Sequence, residues 1–135
     1  MFIELCSNGQ SAPIFWQSKK INRVVDNVMA AEALSMKDAL DEGFLIKSLL
    51  NELLSHNNSD IVLEAMTDSK SLYECVHSTK SGKDKRLRID LSIIREYVSS
   101  DKCRFSWVST GQQLADVLTK YGVDGSNIRN HISGQ

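Results

Sequence analysis

From about Val28 to Ser55 the apolar positions recur at helical spacing, and no other feature of this 135-residue sequence restricts its folding as much. Met29, Met36, Leu40, Ile46, Leu50 and Leu53 or Leu54 mark the stripe that such a helix would bury. Asp26 or Asn27 can cap its start, because a short side-chain oxygen satisfies the first free backbone N–H groups. Gly43 weakens its middle by about 1 kcal/mol relative to alanine, a cost that packing can absorb. His56-Asn57-Asn58 supplies a stop, since asparagine tolerates the left-handed conformation of a helix end.

The flanking segments read as shorter elements. Phe2 to Cys6 and Ile14 to Ser18 are strand-like runs on either side of Ser7-Asn8-Gly9-Gln10, which predicts an antiparallel hairpin. Ile61 to Met66 is short, largely apolar and bounded by polar residues, so it reads as a buried strand suited to parallel pairing. Asp68-Ser69 can cap a helix from Lys70 to about His77. Ser78 to Asp84 is a loop, and Lys85 to Ser99 a second amphipathic helix with Leu87, Leu91, Ile94 and Val98 on one side. Arg104 to Val108 reads as a strand, after which Ser109 or Thr110 caps a short helix carrying Leu114, Val117 and Leu118. The order β-β-α-β-α-α-β-α predicts an α/β fold, a mixed sheet flanked by helices. Residues 122–135 form a polar, poorly patterned C-terminal tail.

Composition narrows the class of function. A hydrophobic fraction of 41% supports one real core without staples. The formal net charge of −1 excludes a global basic field, so any nucleic-acid contact must come from a local cluster. Three cysteines, Cys6, Cys75 and Cys103, lie far apart with no C-x-x-C pair, which argues against zinc and a secreted disulfide framework. They are expected to be reduced thiols of an intracellular protein. No segment approaches the roughly 20 apolar residues of a membrane span, and no signal peptide is visible.

Two acids fall where open α/β sheets place their chemistry. Asp68 follows the carboxyl end of a strand, and Asp116 lies in the short helix after the last strand. Glu32 sits early in the long helix among Ala30, Ala31 and Ala33, small neighbours that allow a close approach to the sheet. Each acid has a blander reading. An aspartate after a strand is more often a helix cap, and a glutamate near a helix start complements the dipole by about 0.3–1 kcal/mol. Spacing alone is a weak metal-site signal.

The wording around these acids is more specific. Trp16-Gln17-Ser18-Lys19-Lys20, Ala30-Ala31-Glu32-Ala33-Leu34, Thr67-Asp68-Ser69-Lys70-Ser71-Leu72, Lys85-Arg86-Leu87-Arg88-Ile89-Asp90 and Ala115-Asp116-Val117-Leu118-Thr119-Lys120 occur in that order. Together they resemble the RNase H domain of copia-type retrotransposon Pol polyproteins, across residues 1–121. The last piece, an A-D-x-L-T-K signature, is the most specific. The resemblance implies an RNase H-like mixed sheet and a carboxylate cluster holding Mg²⁺ or Mn²⁺, with Glu32, Asp68 and Asp116 as catalytic ligands. It implies an RNA–DNA hybrid as substrate, read by backbone shape and 2′-hydroxyls. It also implies the upstream reverse transcriptase portion as a partner and a cytoplasmic location, with retrotransposon particles or the nucleus as related compartments.

One departure matters. In the family the first catalytic aspartate lies on a strand before the hairpin, and no residue here matches it. The expectation is therefore a domain that lacks the first strand and is impaired as a nuclease. The alternative is a non-catalytic remnant that binds nucleic acid or protein.

Lys19, Lys20 and Arg23 form one basic cluster; Lys80, Lys83, Lys85, Arg86 and Arg88 form another. A solvated face is their plain reading. The resemblance favours the second as a phosphate-contacting edge, with Lys19 and Lys20 as further candidates. Trp16 and Trp107 lie in strands and read as core residues, as do Tyr73 and Tyr97 on apolar helical faces. His56, His77 and His131 show no ligand spacing.

Overall fold

The computed structural model describes residues 1–7, 10–18, 20–22, 27–54, 61–79, 82–100 and 103–112. The chain divides into two compact units, Met1–Asn22 with Val108–Gln135, and Arg23–Trp107.

In the first unit β1 (Phe2–Ser7) and β2 (Gln10–Trp16) pair antiparallel, with Ser7 opposite Gln10. Residues 8 and 9 connect them and lie outside the described residues. The register shifts between Ile3 and Glu4, which pair with Phe15 and Pro13. Pro13 has no N–H to give the ladder, so an irregularity beside it costs little pairing. Beyond the strands, the Met1 ammonium donates to the Gln17 carbonyl (2.8 Å) and Gln17 N–H donates to the Met1 carbonyl (3.0 Å). Thr110–Gln112 forms a single 3-10 turn. Leu114, Val117 and Leu118, expected on a short helix, lie outside the described residues, as does the 122–135 tail.

The second unit holds the core. Helix α1 (Val28–Leu53) starts at Asn27, whose Oδ1 accepts from Ala30 N–H at 2.8 Å. Strand β3 (Leu63–Thr67) leads into α2 (Lys70–Val76), then α3 (Lys85–Ser99) and β4 (Cys103–Trp107). Asp84 caps α3 by accepting from Arg86 N–H at 3.0 Å. β3 and β4 run parallel in register, Leu63 opposite Cys103 and Thr67 opposite Trp107. The helices α2 and α3 form the crossover that a parallel pair requires. Ala30, Ala33, Met36, Leu40, Leu72, Val76, Leu87, Leu91, Ile94, Cys103 and Phe105 make one buried cluster.

Several expectations change. The architecture is mixed α/β, but among the described residues the strands form two separate two-stranded sheets, not one mixed sheet. β3 is buried on one face only: Leu63, Ala65 and Thr67 turn toward the helices, while Glu64 and Met66 are exposed. Met36 and Leu40 belong to the core, whereas Leu53 and Leu54 are exposed, because they lie beyond Gly43, the last buried position of the helix. Trp16 and Trp107, expected in the core, are 60% and 47% exposed. Each ends its strand, where packing from neighbouring elements runs out.

Two cross-element ties hold the helices in place. Arg95 on α3 donates to the carbonyls of Cys75 (2.6 Å) and Val76 (3.3 Å), placing a cation on the carboxyl end of α2. The Tyr97 hydroxyl donates to Asp41 on α1 at 2.9 Å, and Lys37 lies 3.1 Å from the same carboxylate. Burial, and then Asp41, push the Tyr97 phenol above its ordinary range; the Asp41 hydrogen bond holds Lys37 above its own.

A Cβ at Gly43 would sit 3.0 Å from Leu63 Cδ1, so α1 touches β3 more closely than a larger residue allows. Gly43→Val should destabilise the fold by about 1–3 kcal/mol in chemical denaturation, the usual cost of overpacking. The thiols offer a second check. All three cysteines are free, Cys6 exposed, Cys75 half-buried and Cys103 buried. Burial pushes the Cys103 thiol up, so it stays protonated into the alkaline range. Alkylation followed by peptide mass mapping should modify Cys6 first and Cys103 last, with Cys103 reached only on unfolding.

Candidate carboxylate site

Asp68 follows the last residue of β3, at the carboxyl end of the parallel pair. Three hydrogen bonds tie the turn around it. Ser69 N–H donates to the buried Thr67 Oγ1 at 3.1 Å, and Leu72 N–H donates to Ser69 Oγ at 3.3 Å, making Ser69 the N-cap of α2. The Trp107 indole N–H donates to the Asp68 carbonyl at 3.1 Å, from the end of the neighbouring strand. With Ser69 as the cap, the Asp68 carboxylate is left out of the helix start. The plain reading of Asp68 as a capping residue therefore does not hold.

Glu32 lies one turn into α1 and is half-buried, beside the fully buried Ala33. Gly43 of the same helix touches Leu63 at the start of β3. Ala30 and Ala33 share the buried core with Leu72 of α2. Asp116 lies outside the described residues. Among those that are described, no group of three or more His, Cys, Asp or Glu side chains is placed to hold a metal ion. Glu32 and Asp68 do not by themselves make the expected centre.

Of the basic candidates, Lys20 is exposed and Lys19 lies outside the described residues. Lys83, Lys85, Arg86 and Arg88 are all exposed. On α3, Lys85, Arg86 and Arg88 fan over the side opposite the buried Leu87, a spread of about 160° at 100° per residue. Long cationic side chains on an outward face can follow a phosphate backbone without selecting a sequence.

Two features escaped the sequence reading. Asp90, within the basic stretch, is 2% exposed and packs on the inner side of α3 with Leu87, Leu91 and Ile94. Its spacing of three from Leu87 and four from Ile94 was the available signal, obscured by its charge. Trp107 is the other. Its place opposite Thr67, one residue before Asp68, could not be known without the strand register.

The chain resembles two plant retroelement proteins. It is 36% identical over 108 residues to the retrovirus-related Pol polyprotein from transposon RE1 of Arabidopsis thaliana, a match covering 80% of this chain and 7% of that protein. It is 35% identical over 108 residues to the corresponding polyprotein from transposon RE2 of the same plant, with the same coverage. The chain thus spans about 7% of the length of these curated relatives. No protein-family model matches the chain. No solved structure matches it. No helix among the described residues is long and apolar enough to cross a membrane.

Ser69→Ala removes the cap and one support of the Asp68 turn. It should lower stability by about 1 kcal/mol, measured as a shift in the denaturation midpoint, while Ser69→Thr retains most of the wild-type value.

Proposed function

From its homology to a stretch of the retrovirus-related Pol polyproteins of transposons, we propose that this chain is the RNase H-like portion of a retroelement polyprotein, that it recognises RNA–DNA hybrids, and that it is impaired in cleaving them. The observation that carries the reading is the Asp68 turn. A carboxylate stands at the carboxyl end of a parallel strand pair, in a turn tied by Thr67, Ser69 and Trp107. The A-D-x-L-T-K wording around Asp116 supports the same reading.

In this proposal Glu32, Asp68 and Asp116 are the acids available to Mg²⁺ or Mn²⁺. They number one fewer than the carboxylate set that the resemblance implies, and the described residues contain no three-ligand group. Recognition falls instead to Lys83, Lys85, Arg86 and Arg88, with Lys19 and Lys20 as a second set. A neighbouring portion of the polyprotein, such as the reverse transcriptase part, is the proposed partner. A protein-interaction reading has one observation in its favour. Leu45, Leu49 and Leu53 line the outer side of α1 at helical spacing and are each more than half exposed.

A labelled RNA–DNA hybrid, titrated with Mg²⁺ or Mn²⁺ present, tests this. Salt-sensitive binding without cleavage is expected. Replacing Lys85, Arg86 and Arg88 by alanine should weaken binding and reduce the salt slope, by up to about one for each phosphate no longer neutralised. Failure of the folded chain to bind hybrid would remove the reading. Strong metal-dependent cleavage, abolished by Asp68→Asn, would overturn the impairment and make the chain an active nuclease.

A further inference from the structure

Resting on that reading, we infer that Trp107 is a nucleic-acid contact of the same site, a ring surface against which a nucleotide of the bound strand packs. Trp107 alternates with Cys103 and Phe105, both buried beneath the helices, but as the last residue of β4 it is 47% exposed. Its position is nevertheless fixed, because its only polar side-chain atom donates to the Asp68 carbonyl at 3.1 Å. The N–H is therefore satisfied within the protein, and what faces solvent is mainly the apolar π surface of the indole. A fixed aromatic surface bonded to the main chain of Asp68 suits a ligand with a flat or apolar part next to a phosphate. A nucleotide has both, and packing on a ring is tolerant of sequence because every base and sugar offers a suitable face.

The hydrogen bond also links binding to geometry. A nucleotide pressing on the indole bears on the group that holds the Asp68 carbonyl, so Trp107 both contacts the strand and positions the turn. Trp16, the other tryptophan, is 60% exposed and ends β2 in the first unit.

The test uses the full chain with Trp16→Phe, which leaves Trp107 as the single indole. Binding of a labelled RNA–DNA hybrid is followed by anisotropy, and Trp107 emission is followed separately with unlabelled hybrid. The emission should change saturably, with the same midpoint as the anisotropy. In the wild-type background Trp107→Phe, which keeps a ring, should bind within about 3-fold of wild type, while Trp107→Leu should bind roughly 10-fold more weakly. Circular dichroism checks that each variant folds; if Trp107→Leu does not, the emission change and Trp107→Phe decide the matter. Hybrid binding by anisotropy with no emission change would overturn the contact and leave the proposed function standing. Absence of any anisotropy change would overturn the proposed function and the contact with it.

Discussion

The close seating of α1 on β3 is the contact on which the second unit depends. A helix can approach a strand this closely only where the residue facing it is small, and here that residue is Gly43, against Leu63. Leu63 fills the space that a side chain at Gly43 would take. Gly43 carries the low helix propensity noted in the sequence, about 1 kcal/mol below alanine, and the same missing side chain permits the approach. That contact sets the longitudinal position of α1 against β3.

Periodicity along the chain was legible because it reflects local geometry. The three helices begin within a residue or two of the positions expected, since Asn27 and Ser69 are the types of residue that satisfy free N–H groups. The hairpin and the parallel character of β3 were legible for similar reasons. What failed were inferences about how far neighbouring elements cover a given residue or strand pair. Trp16 and Trp107 were expected inside because large aromatics in strands usually are, yet both stand at strand ends where cover stops. Leu53 and Leu54 fit the apolar period but extend past the packed part of α1. The single mixed sheet was inferred from element order, and order does not reveal whether two strand pairs share hydrogen bonds.

The candidate site divides the same way. Glu32 and Asp68 could be singled out by the residues around them, and the turn that holds Asp68 follows from Thr67 and Ser69, which adjoin it in sequence. The third support, the Trp107 indole, comes from a residue 39 positions away and required the β3–β4 register. Local sequence specifies the type of turn, whereas the tertiary contact specifies which way it is held.

Electrostatics then constrain how such a site can meet a polyanion. Carboxylates such as Glu32 and Asp68 repel a phosphate, more strongly where they are partly buried than in bulk water. Charges elsewhere can draw the strand in, and the outward face of α3 carries Lys85, Arg86 and Arg88. Those side chains are long and exposed, so they attract without fixing position. A rigid apolar surface beside the acids has the opposite property: it adds no charge to the repulsion and tolerates no large displacement. Under the proposed function the two kinds of contact are complementary, the basic helix supplying attraction at range and Trp107 supplying registration at the Asp68 turn.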